Sequence, residues 1–244
     1  MHSKTFSIYL LAIAGILGVY SAKALAASDA EWFTSINASL GLATVDNITH
    51  RGSIGAGLPI GNDIDGAIKD RETNDFTAGV GLAFGRRMGY WNVSAEYIWR
   101  YRTDWDVVVA TPSIQTITNV FSNVKSSTLM LNAARRGPIS QFWSWELGAG
   151  IGLVRNSLES EYIERAVPGV TPEQKFRDNS SDTEFSYNVF AGITRDLGGP
   201  WTLNIRYRYI DFGELTAGPF PDRNAKVYGD HSSQELQFSL EWDL

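Results

Sequence analysis

The chain contains no cysteine. A disulfide framework, a thiolate metal site and a cysteine nucleophile are therefore excluded. Positive charge is in short supply: 21 Lys and Arg stand against 27 Asp and Glu, for a formal net charge of −6. Nucleic-acid binders usually carry the opposite sign, so no nucleic-acid partner is expected. Helix formers are too few for a helical bundle. After the first twenty residues no stretch holds 18 consecutive apolar residues, so the sequence offers no later membrane-spanning helix. What it does offer is 23 Gly and 12% aromatic residues, including eight Trp. That mixture suits strands with aromatics on one face and small residues on the other. A length of 244 fits one domain, or at most two.

The N-terminus reads as an address. His2 and Lys4 precede an apolar run from Phe6 to Tyr20, interrupted only by Ser7. Ala24-Leu25-Ala26 supplies a small-residue cleavage site, with Ala22-Lys23-Ala24 as a second candidate. Together they form a secretory signal peptide over residues 1–26. The run is shorter than the ~20 residues a spanning helix needs, and the small-residue tail argues against an uncleaved anchor. Residues 27–244 then form a single domain. Removing Lys4 and Lys23 takes its net charge from −6 to −8. A secreted chain of this kind is either soluble outside the cytoplasm or a transmembrane β-barrel.

Periodicity separates those two. Phe76, Ala78, Val80, Leu82 and Phe84 alternate with Thr77, Gly79, Gly81 and Ala83. Trp91, Val93, Ala95, Tyr97, Trp99 and Tyr101 alternate with Asn92, Ser94, Glu96, Arg100 and Arg102 on the other parity. Trp143 to Leu153, Trp201 to Tyr209 and Leu236 to Leu244 follow the same period of two, and three weaker windows (Trp32–Thr44, Lys125–Ala133, Phe185–Ile193) bring the total to eight. A soluble sandwich also alternates, but its polar face is usually rich in Lys, Glu and Thr. Here that face holds Gly, Ser and Asn, which suit the crowded inside of a narrow barrel. Trp32, Trp91, Trp143, Trp201 and Trp242 lie near one end of their strands and predict one aromatic girdle. Tyr101, Trp105, Tyr209 and Phe212 predict the other.

The connections alternate short and long. Arg87–Tyr90, Arg136–Gln141 and Asp196–Pro200 are tight turns. The segments 46–74, 107–124, 158–184 and 214–230 are long and read as four outer loops, holding fifteen acidic and eight basic residues. The expected fold is all-β: an eight-stranded antiparallel up-and-down transmembrane β-barrel, with both termini periplasmic and the long loops extracellular. One segment departs from a plain loop. Val107 to Val124 has no charge and strong strand propensity, so it predicts an apolar β-ribbon standing above the membrane, turning at Thr111-Pro112-Ser113. The third strand would then run unbroken from Trp91 to Ala110.

Two segments resemble the small outer-membrane β-barrel family, which includes OmpA-like transmembrane domains and Opa-like surface proteins. Tyr207-Arg208-Tyr209-Ile210-Asp211-Phe212-Gly213 is similar to that family's segment at the top of the penultimate strand. Glu235 to Leu244 is similar to its closing strand, with Phe238, Leu240, Trp242 and Leu244 as the signal read by the barrel-insertion machinery; the family usually ends in Phe where this chain has Leu244. The resemblance spans the chain after residue 26. It implies a bacterial outer-membrane location, contact with outer-membrane lipids and lipopolysaccharide, and a function carried by loops.

Candidate chemistry is sparse. His231 and Ser233 share a face, as in a His-x-Ser arrangement of a lipid hydrolase, but they point toward the barrel interior with Glu235. His50 is a lone loop histidine without an assigned role. Asn62-Asp63-Ile64-Asp65-Gly66, with Asp70 and Glu72, lacks the third acidic position of a calcium loop and reads as a solvated turn. No cofactor, metal or catalytic residue is expected. The inward charges are more informative: Glu96, Glu146, Glu235 and Glu241 against Arg100, Arg102, Arg206 and Arg208. An eight-stranded barrel is only wide enough for side chains to fill it, and charges inside must be paired or wet. The expectation is a lumen plugged by ion pairs, in a non-enzymatic surface protein whose loops meet a host or envelope ligand. A small diffusion channel is the alternative, and a lipid-modifying enzyme a weaker third.

Overall fold

The structure, a computed structural model, describes residues 30–51, 72–111, 116–164, 172–220 and 225–244. The expected signal peptide, the acidic turn around Asp63 and the residues following Thr111 in the expected ribbon turn lie outside the described residues.

Among the described residues nine strand segments follow one another: β1 (Ala30–Arg51), β2 (Thr73–Met88), β3 (Trp91–Arg100), β4 (Thr103–Thr111), β5 (Thr116–Pro138), β6 (Trp143–Glu164), β7 (Gln174–Gly198), β8 (Trp201–Phe220) and β9 (Ala225–Asp243). All neighbours are antiparallel. The order runs β3-β2-β1-β9-β8-β7-β6-β5-β4, and β3 also pairs with β5, which closes the ring. β3 and β4 are two stretches of one wall strand, so the barrel has eight staves. Closure leaves the lower wall without an edge.

The break at Tyr101–Arg102 has a simple cause. Trp99 pairs with Ser127 and Thr103 with Val124, so the wall strand advances four residues while β5 advances three. One extra residue is accommodated as a bulge, and the inward parity changes from even to odd.

Outward side chains form an apolar belt. On β1 it runs from Trp32 to Leu42, on β2 from Phe84 to Phe76, and on β6 from Trp145 to Leu153. Ten residues at ~3.3 Å span ~33 Å along the strand, or ~25 Å across a bilayer at ~40° of tilt, which matches the apolar height of outer-membrane barrels. The five girdle tryptophans all face outward at the tight-turn end, with Trp201 and Trp242 5.0 Å apart between ring centroids.

Above the belt the strands do not stop. β6 continues eleven residues past Leu153, and β7 begins eleven residues before Phe185. Much of what the sequence offered as long loops is barrel wall. Polarity inverts there: Val45, Ile48, Trp105, Val107, Val120, Val124, Leu158, Tyr162, Leu215, Phe220 and Val227 face inward as one buried cluster. Asp104, Glu159 and Arg177 face out. Two expectations are corrected here. Trp105 and Phe212 belong to no girdle; both are fully buried inside, while Tyr101 stays outside. The uncharged segment does form a hairpin, with β4 and β5 paired from Thr103↔Val124 to Thr111↔Thr116. It is no free-standing ribbon, because Trp105, Val107, Val120 and Val124 are buried in the cap over the lumen.

Candidate functional site

Period-two alternation delivers every second residue of each strand to the lumen. Within the belt most of those residues are small or polar, such as Ser35, Asn37 and Ser39 on β1, Gly148, Gly150 and Gly152 on β6, and Gln237 and Ser239 on β9. They leave room for a few long charged side chains, which meet in two tiers.

The lower tier centres on Glu146 and Glu241. Arg136 bridges them, its Nε 2.5 Å from Glu146 and its Nη2 2.6 Å from Glu241. Arg206 Nε approaches Glu146 at 2.6 Å. Arg87 reaches Glu241 at 2.7 Å and also grips Asp243. The upper tier centres on Glu96 and Glu235. Arg208 joins them, 2.8 Å from Glu96 and 2.6 Å from Glu235. Arg100 closes on Glu235 at 2.5 Å, while its Nη1 donates to Thr128 Oγ1 at 3.0 Å. Amides complete the shell: Asn37, Asn132 and Gln237 all donate to Glu96. Three guanidinium groups also lie over aromatic rings, Arg87 on Phe33, Arg206 on Phe190 and Arg100 on Phe212. Among the described residues five arginines thus face four glutamates and Asp243, a balance of zero.

Of the charges expected in the lumen, Glu96, Glu146, Glu235, Glu241, Arg100, Arg206 and Arg208 are brought together. Arg102 is not. It lies outside, half-exposed, paired with Asp104 at 2.8 Å, because the bulge at Tyr101–Arg102 turns both residues outward. Arg87 and Arg136 are the residues sequence reasoning missed. Both were placed in tight turns, yet Arg87 continues the inward parity of Ala83 and Gly85, and Arg136 that of Asn132 and Ala134.

Between the charge tiers and the apolar cap lie Met130, Val154, Ile210 and Phe212. His231 sits at this boundary, buried, with its ring 4.6 Å from that of Phe212. Ser233 donates to the carbonyl of Leu42, and Glu235 is held by two arginines. Among the described residues no hydrogen bond links His231, Ser233 and Glu235 into a relay. Nor is any group of three His, Asp or Glu placed to hold a metal. The side chain of His50 lies outside the described residues. The closing-strand residues Phe238, Leu240, Trp242 and Leu244 are exposed on the outer face.

Above the belt, carboxylates crowd two places on the outer wall. Asp106 on β4 is pushed above the ordinary carboxylate value by partial burial, then by Asp104 and Asp75. Asp46 on β1 is raised in the same way, by burial and then by Asp230 and Glu72.

A family model described as an outer membrane protein beta-barrel domain matches residues 12–243. No curated protein matches in sequence. Among solved structures, the chain is similar to Neisserial surface protein A, at 14% identity and a TM-score of 0.39, covering 88% of this chain and 99% of that one. It is similar to OprG of Pseudomonas aeruginosa, at 15% and 0.49, covering 85% and 95%. It is also similar to Ail of Yersinia pestis, at 11% and 0.31, covering 82% and 97%.

Proposed function

Because the chain belongs to the outer membrane protein beta-barrel domain family, we propose that it is a non-enzymatic surface protein that works through the rim of its long connections. One observation carries this reading: the lumen is filled twice over. Two tiers of ion pairs occupy the belt, and a cap of buried apolar side chains lies above them. Side chains that occupy both the belt and the cap oppose a continuous water path through so narrow a barrel. The barrel is then a pedestal, and the surface available to a partner is the polar wall and its connections. In this reading the termini and tight turns are periplasmic and the extended wall is extracellular. Outer-membrane lipids and lipopolysaccharide surround the belt, and the barrel-insertion machinery reads Phe238, Leu240, Trp242 and Leu244. The rim meets a host or envelope ligand.

Planar-bilayer recording tests the reading. The refolded protein should give no conductance above the bare membrane. Steady openings at roughly nanosiemens level, as expected of a water-filled channel, would replace the pedestal with a pore. Incubation with labelled phospholipid and lipid A should release no fatty acid; release that Ser233→Ala abolishes would establish an enzyme instead.

A further inference from the structure

The tight-turn rim carries a repeated pair. Trp32 lies directly opposite Arg86 across β1 and β2, Trp91 opposite Arg135 across β3 and β5, and Trp143 opposite Arg195 across β6 and β7. All six side chains are on the outward parity of their strands. The guanidinium carbons of Arg86 and Arg195 each stand 5.3 Å from the centre of the facing indole ring. The fourth position, across β8 and β9, holds Trp201 against Trp242.

These three arginines differ from the other rim cations. Among the described residues none has a carboxylate within ion-pair distance, whereas each lumen arginine has at least one. At the opposite edge of the belt, Arg102 is paired with Asp104 and Lys125 with Glu159. Acidic groups do exist near the tight turns, but Asp243 is taken by Arg87 and Asp196 accepts from the backbone of Gly198. Glu31 is exposed and unpaired among the described residues. The outward-facing cations of this collar, Arg86, Arg135 and Arg195, therefore have no acid of the chain as an ion-pair partner among the described residues, and they lie around the wall at the level where lipid headgroups begin.

We infer that this collar binds the phosphodiester headgroups of anionic glycerophospholipids in the leaflet facing the tight turns. A guanidinium presents a planar fork that matches two phosphate oxygens. Stacking on indole fixes the fork in advance, so less side-chain freedom is lost on binding. The indole itself packs on the glycerol and first methylenes, as amphipathic rings do at headgroup depth. Pairing with lipid, rather than with a carboxylate of the chain, explains why Arg86, Arg135 and Arg195 are left without an internal acid.

Native mass spectrometry of the full refolded chain in detergent tests this. Phosphatidylglycerol and phosphatidylcholine with identical acyl chains are titrated in turn. The unmodified protein should retain phosphatidylglycerol about fivefold more strongly per site, and the combined R86Q/R135Q/R195Q variant should lose that preference. A K125Q/R155Q variant at the opposite rim should keep it. Equal retention of the two lipids by the unmodified protein overturns the inference without recourse to any variant. So does a preference that persists in the triple variant, or one erased by millimolar inorganic phosphate, which would mark a free-anion site instead. Heat-modifiable mobility on gels establishes that each variant has folded.

Discussion

Glu235 shows what a single residue is worth in this lumen. It is buried between Arg100 and Arg208. Replacing it with Ala leaves two guanidinium groups short of a carboxylate, and the expected loss is ~3–5 kcal/mol in urea unfolding of the refolded protein. Arg102→Ala removes an exposed pair and should cost less than ~0.5 kcal/mol. If the two variants unfold alike, the lumen network is not where the structure puts it. Asp106 adds a pH dependence of definite sign. Its carboxyl is raised above 3.8 by burial and by Asp104 and Asp75, so the folded state holds the proton more tightly than the unfolded chain. Stability should fall as pH rises from about 3.8 through the raised value, and stay lower above it. Asp106→Asn should therefore be more stable than the parent at neutral pH, with the gap closing in acid. A gap that widens in acid would contradict the sign. At this scale the sequence was legible wherever strict alternation held. Alternation alone named seven of the lumen charges. It failed at Arg102, where one inserted residue reverses parity, and at Arg87 and Arg136, where turn residues obscured the last inward positions.

Elements tell a similar story. The bulge that expels Arg102 is an insertion relative to β5, so deleting Arg102 should restore plain alternation from Arg100 to Thr103. The deletion variant should still refold with Trp105 buried, read by its shielding from aqueous fluorescence quenchers. Exposure of Trp105 would show that the bulge is required to aim β4. On β6 the constraint is the reverse. A Cβ at Gly150 would stand 2.0 Å from Asn132 Oδ1 and 2.9 Å from the Leu131 carbonyl. Gly150→Ala should displace Asn132 from Glu96 and cost ~1–3 kcal/mol, measured by the unfolding midpoint. The eight staves were readable because apolar residues fell on one parity throughout the belt. Their upper halves were not, for a physical reason. On β6, Ile151 and Leu153 face lipid, but Val154, Leu158 and Tyr162 face inward. Once the wall leaves the bilayer the apolar parity changes sides, and a rule that equates apolar with outward reads the change as the end of a strand.

As a whole molecule the barrel joins two solvents. Closed backbone pairing in the belt predicts a folded band that migrates differently from a boiled sample on gels. Identical migration with a helical circular dichroism spectrum would refute the fold. The upper half depends instead on an ordinary apolar core. Trp105→Ala should cost ~3–5 kcal/mol there, raising amide hydrogen exchange in β4 and the upper parts of β5 and β6 while leaving the belt amides protected. The parity switch also bears on how the protein is put together. A hairpin still crossing the bilayer has Glu159, Glu161 and Arg177 on the face that will meet water and Leu158 and Tyr162 on the face that will not. Neither face suits its final neighbours until transit is over. The belt can form its lipid contacts while the ring is still incomplete, but the cap draws on β1, β4, β5, β6, β8 and β9 at once. Its assembly is therefore the natural last step, a latch that sets only after the upper wall has emerged and that then opposes the chain's return.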